Sequence, residues 1–463
     1  RQMCIRDRYI YDKFINIYHI DMTKEQIIEV LNHWNFWNRD IDVGLFRFEY
    51  LHKLLEFLET DKIISIVGVR RSGKSTLIRQ MARTLVERGV ERERILIINF
   101  EEPSFEGTDL NFLLNIYSAF LEIIKPPDKP YIFLDEVQNI DKWEKFVRSL
   151  NEKKEAFLVI TGSSSKLLSQ ELSSILTGRQ LYFEIFPLSF KEFLGFKGLK
   201  IEEEKHVLLN SLKIKKSLRE YLFWGGFPEV VLNKNEEFKR RVLISYYEDI
   251  INRDVAQRYR VKKLDKLKTL AHFYLTNISS YISFNRISRF IHLPVETVRR
   301  FSSYIEASNL VFFIKRFSFS LKEQENSPRK VYSIDTGLSN MVGFKFSRKF
   351  GQLAENIVAL KLREEQAKNP SIEIYYWKNH YADKEVDFLV KEENSIKKLI
   401  QVCWDIGDFE TKEREIKSLT KAMRELSLNE GLIITEELED EEKIKDKKII
   451  YRPLWKWILE ENW

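Results

Sequence analysis

Between Tyr50 and Ile185 the hydrophobic positions follow two alternating patterns, and their order predicts a layered α/β unit. Five short runs are apolar almost throughout: Ile63–Val67, Ile95–Phe100, Tyr131–Leu134, Phe157–Thr161 and Leu181–Ile185. They read as short buried strands. Between them Lys74–Arg88, Leu110–Ile124 and Trp143–Lys153 read as helices. Buried strands alternating with helices predict a parallel sheet covered on both sides. Ahead of this unit, Thr23–Asn35 reads as a helix with Thr23 as N-cap and Ile27, Ile28, Val30 and Leu31 as its apolar side. Phe36–Phe46 reads as a connector lying over the next domain.

After Pro187 the strand signal fades, and Phe190–Asn277 reads as mostly helical with a break at Trp224-Gly225-Gly226-Phe227-Pro228. Ile282–Phe319 holds two helical patterns and then an apolar strand-like run, Leu310–Ile314. Lys322–Lys330 is polar and reads as a flexible loop. From Phe350 onward come one helix, strands around Ile372–Trp377, Glu385–Val390 and Leu399–Val402, and further α/β character to Trp463.

A length of 463 residues predicts two to four domains. Charged residues make up 32% but nearly cancel to a formal +6, which permits a nucleic-acid partner without requiring one. Two cysteines, Cys4 and Cys403, exclude a disulfide scaffold and a cysteine zinc site, and the histidines lack metalloprotease spacing. With no signal peptide and no apolar run of ~18 residues, no membrane partner is expected and the expected compartment is cytoplasmic. The opening Arg1–Arg8 reads as translated adapter sequence and is set aside.

The chemistry concentrates after the first strand. Gly68-Val69-Arg70-Arg71-Ser72-Gly73-Lys74-Ser75 fits G-x-x-x-x-G-K-[ST] where a strand ends and a helix opens, and Thr76 follows as a further expected nucleotide-binding residue. Glycines let successive N–H groups wrap a phosphate at a helix N-terminus. Lys74 is expected on the β- and γ-phosphates and the Ser75 hydroxyl in the Mg²⁺ shell. The Tyr131–Leu134 strand ends in Asp135-Glu136. Asp135 is the expected second Mg²⁺ residue and Glu136 the base for the attacking water. The strand after that runs into Ser163 and Ser164, either of which can contact the γ-phosphate or cap a helix.

These runs, together with FLDEVQNIDKWE, ITGSSSKLLSQELSSILTGRQLYFEIFPLSFKEFL and YLFWGGFPEVV, resemble the prokaryotic AAA-type ATPase family with a C-terminal nuclease-like domain. The resemblance covers nearly everything after Asp40. It implies an AAA+-like fold with the Ser163 strand between the P-loop and Asp135 strands, and ATP rather than GTP as nucleotide. It implies an arginine finger at Arg179, which acts across a subunit interface, against the alternative that Arg179 pairs with an acid of its own chain. Arg253 is a weaker candidate for a lid arginine, against a plain helical ion pair.

Two further modules are expected. Ile282–Ile314 resembles a winged helix-turn-helix, with Phe284, Ile287 and Phe290 lining its first helix. In the second helix Val298, Phe301 and Ile305 face inward and Thr297, Arg299, Arg300 and Ser303 outward, toward a DNA groove or a protein. The terminal segment resembles the restriction-endonuclease-like fold, with Glu355, Asp387 and Gln401 at the metal positions. Cys403 stands where that site carries a lysine, which puts cleavage in doubt.

The expected organisation is therefore an N-terminal segment (1–45), an AAA+-like P-loop domain (46–190), a helical lid (191–278), a winged helix-turn-helix (279–345) and a nuclease-like α/β domain (346–463). The leading reading is an Mg-dependent ATPase that rearranges DNA- or partner-binding modules. The alternatives are a slow-turnover switch that clamps a protein partner and an ATP-regulated nuclease. A homo-oligomer is implied only through Arg179.

Overall fold

The computed structural model describes residues 22–105, 107, 109–162, 178–201, 203–343, 350–379 and 384–460. The chain groups into two compact units, one of residues up to Gly68 with Gly73–Ile185, the other of Val69–Ser72 with Phe186 onward.

The first unit is built on a parallel sheet of β1 (Ile63–Gly68), β2 (Ile95–Asn99), β3 (Tyr131–Asp135), β4 (Phe157–Gly162) and β5 (Gln180–Ile185), in the order β2-β3-β4-β1-β5. β4 thus lies between β1 and β3, parallel to both. Helix Lys74–Glu87 covers it with Leu77, Ile78, Met81 and Leu85, and helix Trp143–Glu152 with Trp143, Phe146, Val147 and Leu150. Because the strands are parallel, Gly68 and Asp135 both end at the carboxyl edge.

The first helix is shorter than its pattern predicts. Thr23 and Gln26 form a capping box at its start, but it ends at Asn32. Asn35 turns inward instead, accepting the Ile97 N–H (2.7 Å) and donating to the Ile97 carbonyl (2.9 Å). Trp37 donates to the Ile95 carbonyl at 2.8 Å. These side chains satisfy the outer backbone of β2, an edge strand. Leu110–Ile124 is α-helical to Ala119 and closes in a π turn, Phe120–Ile124.

The second unit begins with helices Phe190–Phe196, Ser211–Trp224, Pro228–Leu232, Glu236–Asp249 and Leu264–Thr276, with a π-helical stretch Ile250–Gln257. Its sheet contains β6 (Ser280–Ile282), β7 (Val311–Arg316), β8 (Arg329–Ser333), β9 (Ile372–Lys378), β10 (Glu385–Glu392), β11 (Ser395–Val402), β12 (Glu430–Thr435), β13 (Asp440–Ile444) and β14 (Lys447–Pro453), ordered β13-β14-β12-β11-β10-β9-β7-β8-β6. A short parallel pairing of β7 with β9 makes it continuous. Helices Phe284–Ile291 and Val295–Ala307 stand between β6 and β7, with Val298, Phe301 and Ile305 buried.

Two expectations are corrected here. Lys322–Lys330 is not a flexible loop: Leu321–Asn326 is a helix capped by Ser320, and Arg329 and Lys330 open β8. Its polar residues are held by tertiary partners, which local pattern cannot show. Phe290 does not line its helix toward the core but is 62% exposed, and Ile291 takes the inward place. The expected break is present, one helix ending at Trp224 and the next starting at Pro228, and its glycines serve packing. A Cβ at Gly225 would lie 2.1 Å from Asp335 Oδ1, and one at Gly226 would lie 2.4 Å from the Leu188 carbonyl oxygen. No helix among the described residues is long and apolar enough to cross a membrane.

Candidate functional site

The loop after β1 is shaped by its glycines. Gly68 has φ +150, and a Cβ there would lie 2.2 Å from the Ile185 carbonyl oxygen, so no other residue fits. Gly73 has φ +99 and leads into helix Lys74–Glu87. Arg71 also adopts a left-handed φ of +69, which costs a non-glycine residue roughly 1 kcal/mol. Such a loop turns its amides toward one concave face at the start of a helix, the arrangement that receives an anion.

Lys74 is buried, its Nζ 3.2 Å from the Gly68 carbonyl oxygen and 3.8 Å from Glu136 Oε1. Asp135 is buried at the end of β3 and accepts the hydroxyls of Thr161 and Ser75. Burial, and next the charge of Glu136, push the Asp135 carboxyl up to about 6 against those hydroxyls and Lys74. Glu136 turns off the strand with φ +54, its N–H donating to Thr161 Oγ1 at 3.0 Å. Gln138 Nε2 donates to Glu136 Oε2. The residues expected from motif spacing, Gly68, Gly73, Lys74, Ser75, Asp135 and Glu136, therefore converge at the carboxyl edge of the sheet.

This group fits a magnesium nucleotide. Mg²⁺ takes few protein ligands and keeps phosphate and water oxygens. One hydroxyl and one carboxylate already joined by a hydrogen bond, Ser75 and Asp135, are the side chains that would hold it. No cluster of three or more histidine, cysteine or acidic side chains able to hold a metal by themselves occurs among the described residues.

The other expected residues are placed less simply. Thr76 follows Ser75 in the helix and accepts from Arg79 at 3.3 Å. Val69–Ser72 group with the second unit, where Arg70 makes a two-pronged contact with buried Asp254 (3.2 and 3.3 Å) and Arg71 stacks over Tyr246. Arg253 is exposed and pairs with Asp249 at 3.6 Å, the plain helical ion pair. Ser163 and Ser164 lie outside the described residues. Arg179 precedes β5 at the amino edge, and β1 is six residues long, roughly 20 Å at strand rise, so Arg179 is far from the loop of its own chain. It is half-exposed and pairs with Glu152 at 3.1 Å. Glu355, Asp387 and Gln401 come together in the second unit, with Asp387 N–H donating to Gln401 Oε1 at 3.2 Å. Sequence reading missed Thr161, whose signal was a hydroxyl two residues before Ser163, and Asp254, which carries no local signal.

Fold and site together define an AAA-type P-loop ATPase domain, and residues 60–194 match the family described as AAA domain. Residues 215–348 and 350–457 match two domains of unknown function, DUF8612 and DUF4143. The chain is 34% identical over 434 residues to the uncharacterized protein MJ1544 of Methanocaldococcus jannaschii, covering 91% of each, and belongs to the same family. An uncharacterized Haemophilus influenzae protein is 31% identical over 368 residues, 78% of this chain and 87% of that one. Among solved structures, the Walker-type ATPase PABY2304 of Pyrococcus abyssi aligns with a TM-score of 0.40 at 15% identity, over 65% of this chain and 96% of that one. The Aeropyrum pernix ORC1 protein in complex with DNA aligns with a TM-score of 0.31 at 14% identity, over 65% and 93%.

Proposed function

We propose that this chain hydrolyses ATP and that the nucleotide state repositions its C-terminal modules on DNA. The observation that carries the hydrolytic part is the buried meeting of Lys74 with Glu136, beside Asp135 and Glu136 joined through the Thr161 hydroxyl. Bound magnesium supplies charge neutralisation at the β- and γ-phosphates. The loop amides and Lys74 bind and orient the phosphates. Glu136 accepts a proton from water as its oxygen bonds to the γ-phosphorus and the bond to the β-phosphate oxygen breaks, giving ADP and phosphate.

Coupling is supported by the Arg70–Asp254 pair, in which a loop arginine is fastened to the π-helical stretch Ile250–Gln257 of the second unit. A nucleotide shifts such an arrangement only by binding its two states differently. The two helices Phe284–Ile291 and Val295–Ala307 with the β7–β8 hairpin read as a winged helix, and exposed Arg286, Arg289, Arg299 and Arg300 suit phosphate contact. Arg179 acts as a finger only if a second copy of the chain presents it.

The test is ATP turnover by the wild type, Lys74→Ala and Glu136→Gln, with and without duplex and single-stranded DNA. Glu136→Gln is expected to bind nucleotide and lose turnover by ~10²-fold or more. Wild-type turnover in that variant would remove Glu136 from the chemistry. DNA stimulation that disappears in Lys74→Ala and weakens steeply with salt supports the DNA-coupled reading. Mutant-sensitive turnover that ignores DNA refutes that part and leaves a protein partner.

A further inference from the structure

Strand β8 buries a lysine. Lys330 is 2% exposed, and an ammonium so placed needs carboxylates around it. Its Nζ lies 2.6 Å from Asp387 Oδ1 and 3.0 Å from Glu355 Oε1, with Glu385 Oε1 farther off at 4.0 Å. The remaining donors complete a closed network. Tyr332 donates its hydroxyl to Glu355 Oε1 (2.8 Å), and the Val402 N–H donates to Asp387 Oδ2 (2.9 Å). Gln401 accepts the Asp387 N–H and donates to Glu415 at 2.8 Å, and Tyr281 donates to Glu385 at 2.7 Å.

We propose that Lys330 is the resident cation of the Glu355–Asp387 pair, occupying the position a divalent metal would need. The carboxylate oxygens that would ligate a metal point at the ammonium instead. A divalent ion entering beside it would meet like charge in a buried, poorly screened place. Burial, and next Asp387, push the Glu355 carboxyl up to about 8 against the pull of Lys330. Lys330 comes from a different strand than the one Cys403 follows and acts as a plug. It fastens β8 to helix Phe350–Lys368 and to β10, making the C-terminal sheet a non-cleaving part of the second unit. This inference does not rest on the ATPase reading.

The experiment is Mn²⁺ titration of nucleotide-free full-length chain, free Mn²⁺ being read by electron paramagnetic resonance. Four proteins are compared: wild type, Glu355→Gln, Lys330→Met and the double variant Lys330→Met with Glu355→Gln. Any Mn²⁺ at the P-loop is common to all four. Glu355→Gln keeps the side chain's size and an oxygen that accepts from Lys330 and Tyr332. Wild type and Glu355→Gln are expected to give one isotherm, and Lys330→Met to bind one further Mn²⁺ that the double variant lacks. A wild-type Mn²⁺ lost in Glu355→Gln overturns the proposal, because the site then takes metal with its lysine in place. Folded Lys330→Met that gains no Mn²⁺ overturns it too. Should Lys330→Met fail to fold, the comparison of wild type with Glu355→Gln decides alone.

Discussion

The Thr161 hydroxyl at the end of β4 donates to the buried carboxylate of Asp135 at the end of β3. The same oxygen accepts the N–H of Glu136 at 3.0 Å, where the chain turns through a left-handed φ. One hydroxyl therefore orients both acids. Thr161→Val keeps the shape and removes the hydroxyl, leaving a buried carboxylate and a buried N–H each short of a partner, at roughly 1–3 kcal/mol apiece. The expected result is a large loss of ATP turnover in Thr161→Val and near-normal turnover in Thr161→Ser, measured by phosphate release. Equal activity in the two variants would remove Thr161 from the site.

Asp135 predicts how nucleotide binding responds to pH. A carboxylate must be ionised to hold a cation, and this one is pushed up to about 6. The gain in nucleotide affinity on adding Mg²⁺ is full above that value. It shrinks as pH falls through it, by about tenfold per pH unit at most. Comparing wild type with Asp135→Asn cancels the titration of the nucleotide itself. An unchanged pH profile in Asp135→Asn would show that another group is responsible.

Asp335 predicts stability rather than activity. Its buried carboxylate accepts the N–H groups of Gly226 (2.6 Å) and Leu338 (3.1 Å) and also that of Gly337. Asp335→Ala strands these donors at about 1–3 kcal/mol for each one left buried. Gly226→Ala drives a Cβ into the Leu188 carbonyl oxygen. Both variants are expected to lower the urea midpoint of unfolding clearly. A midpoint unchanged in both would mean that the Trp224–Pro228 break is kept for another reason.

Glu355 predicts a slope of stability against pH. Facing Lys330, Asp387 and Tyr332, it holds its proton to about 8 when folded, and releases it near 4.5 when unfolded. Its contribution is complete below the unfolded value and is lost as pH rises through the folded one. Urea midpoints at pH 5 and pH 8 are expected to differ more in wild type than in Glu355→Gln, which has no proton to lose. Equal differences would place the proton elsewhere.

Much of the first unit was legible before folding was considered. Short apolar runs set between helical patterns read as strands of a covered parallel sheet, and a strand–loop–helix passage with glycines at Gly68 and Gly73 and a lysine at Lys74 leaves little choice of chemistry. Those signals are local, carried by neighbouring residues and by backbone sterics. The pairings that make the sites work are not. Thr161 meets Asp135 because parallel register sets β4 beside β3. Arg70 meets Asp254 across 184 positions of chain, and Lys330 meets Asp387 across 57. A polar stretch such as Lys322–Lys330 looks solvated in isolation, since the cost of burying an ammonium is visible only once its carboxylates are in place. Local pattern specified the elements and the nucleotide loop, whereas burial and charge neutralisation, which exist only in the packed chain, decided which polar residues meet.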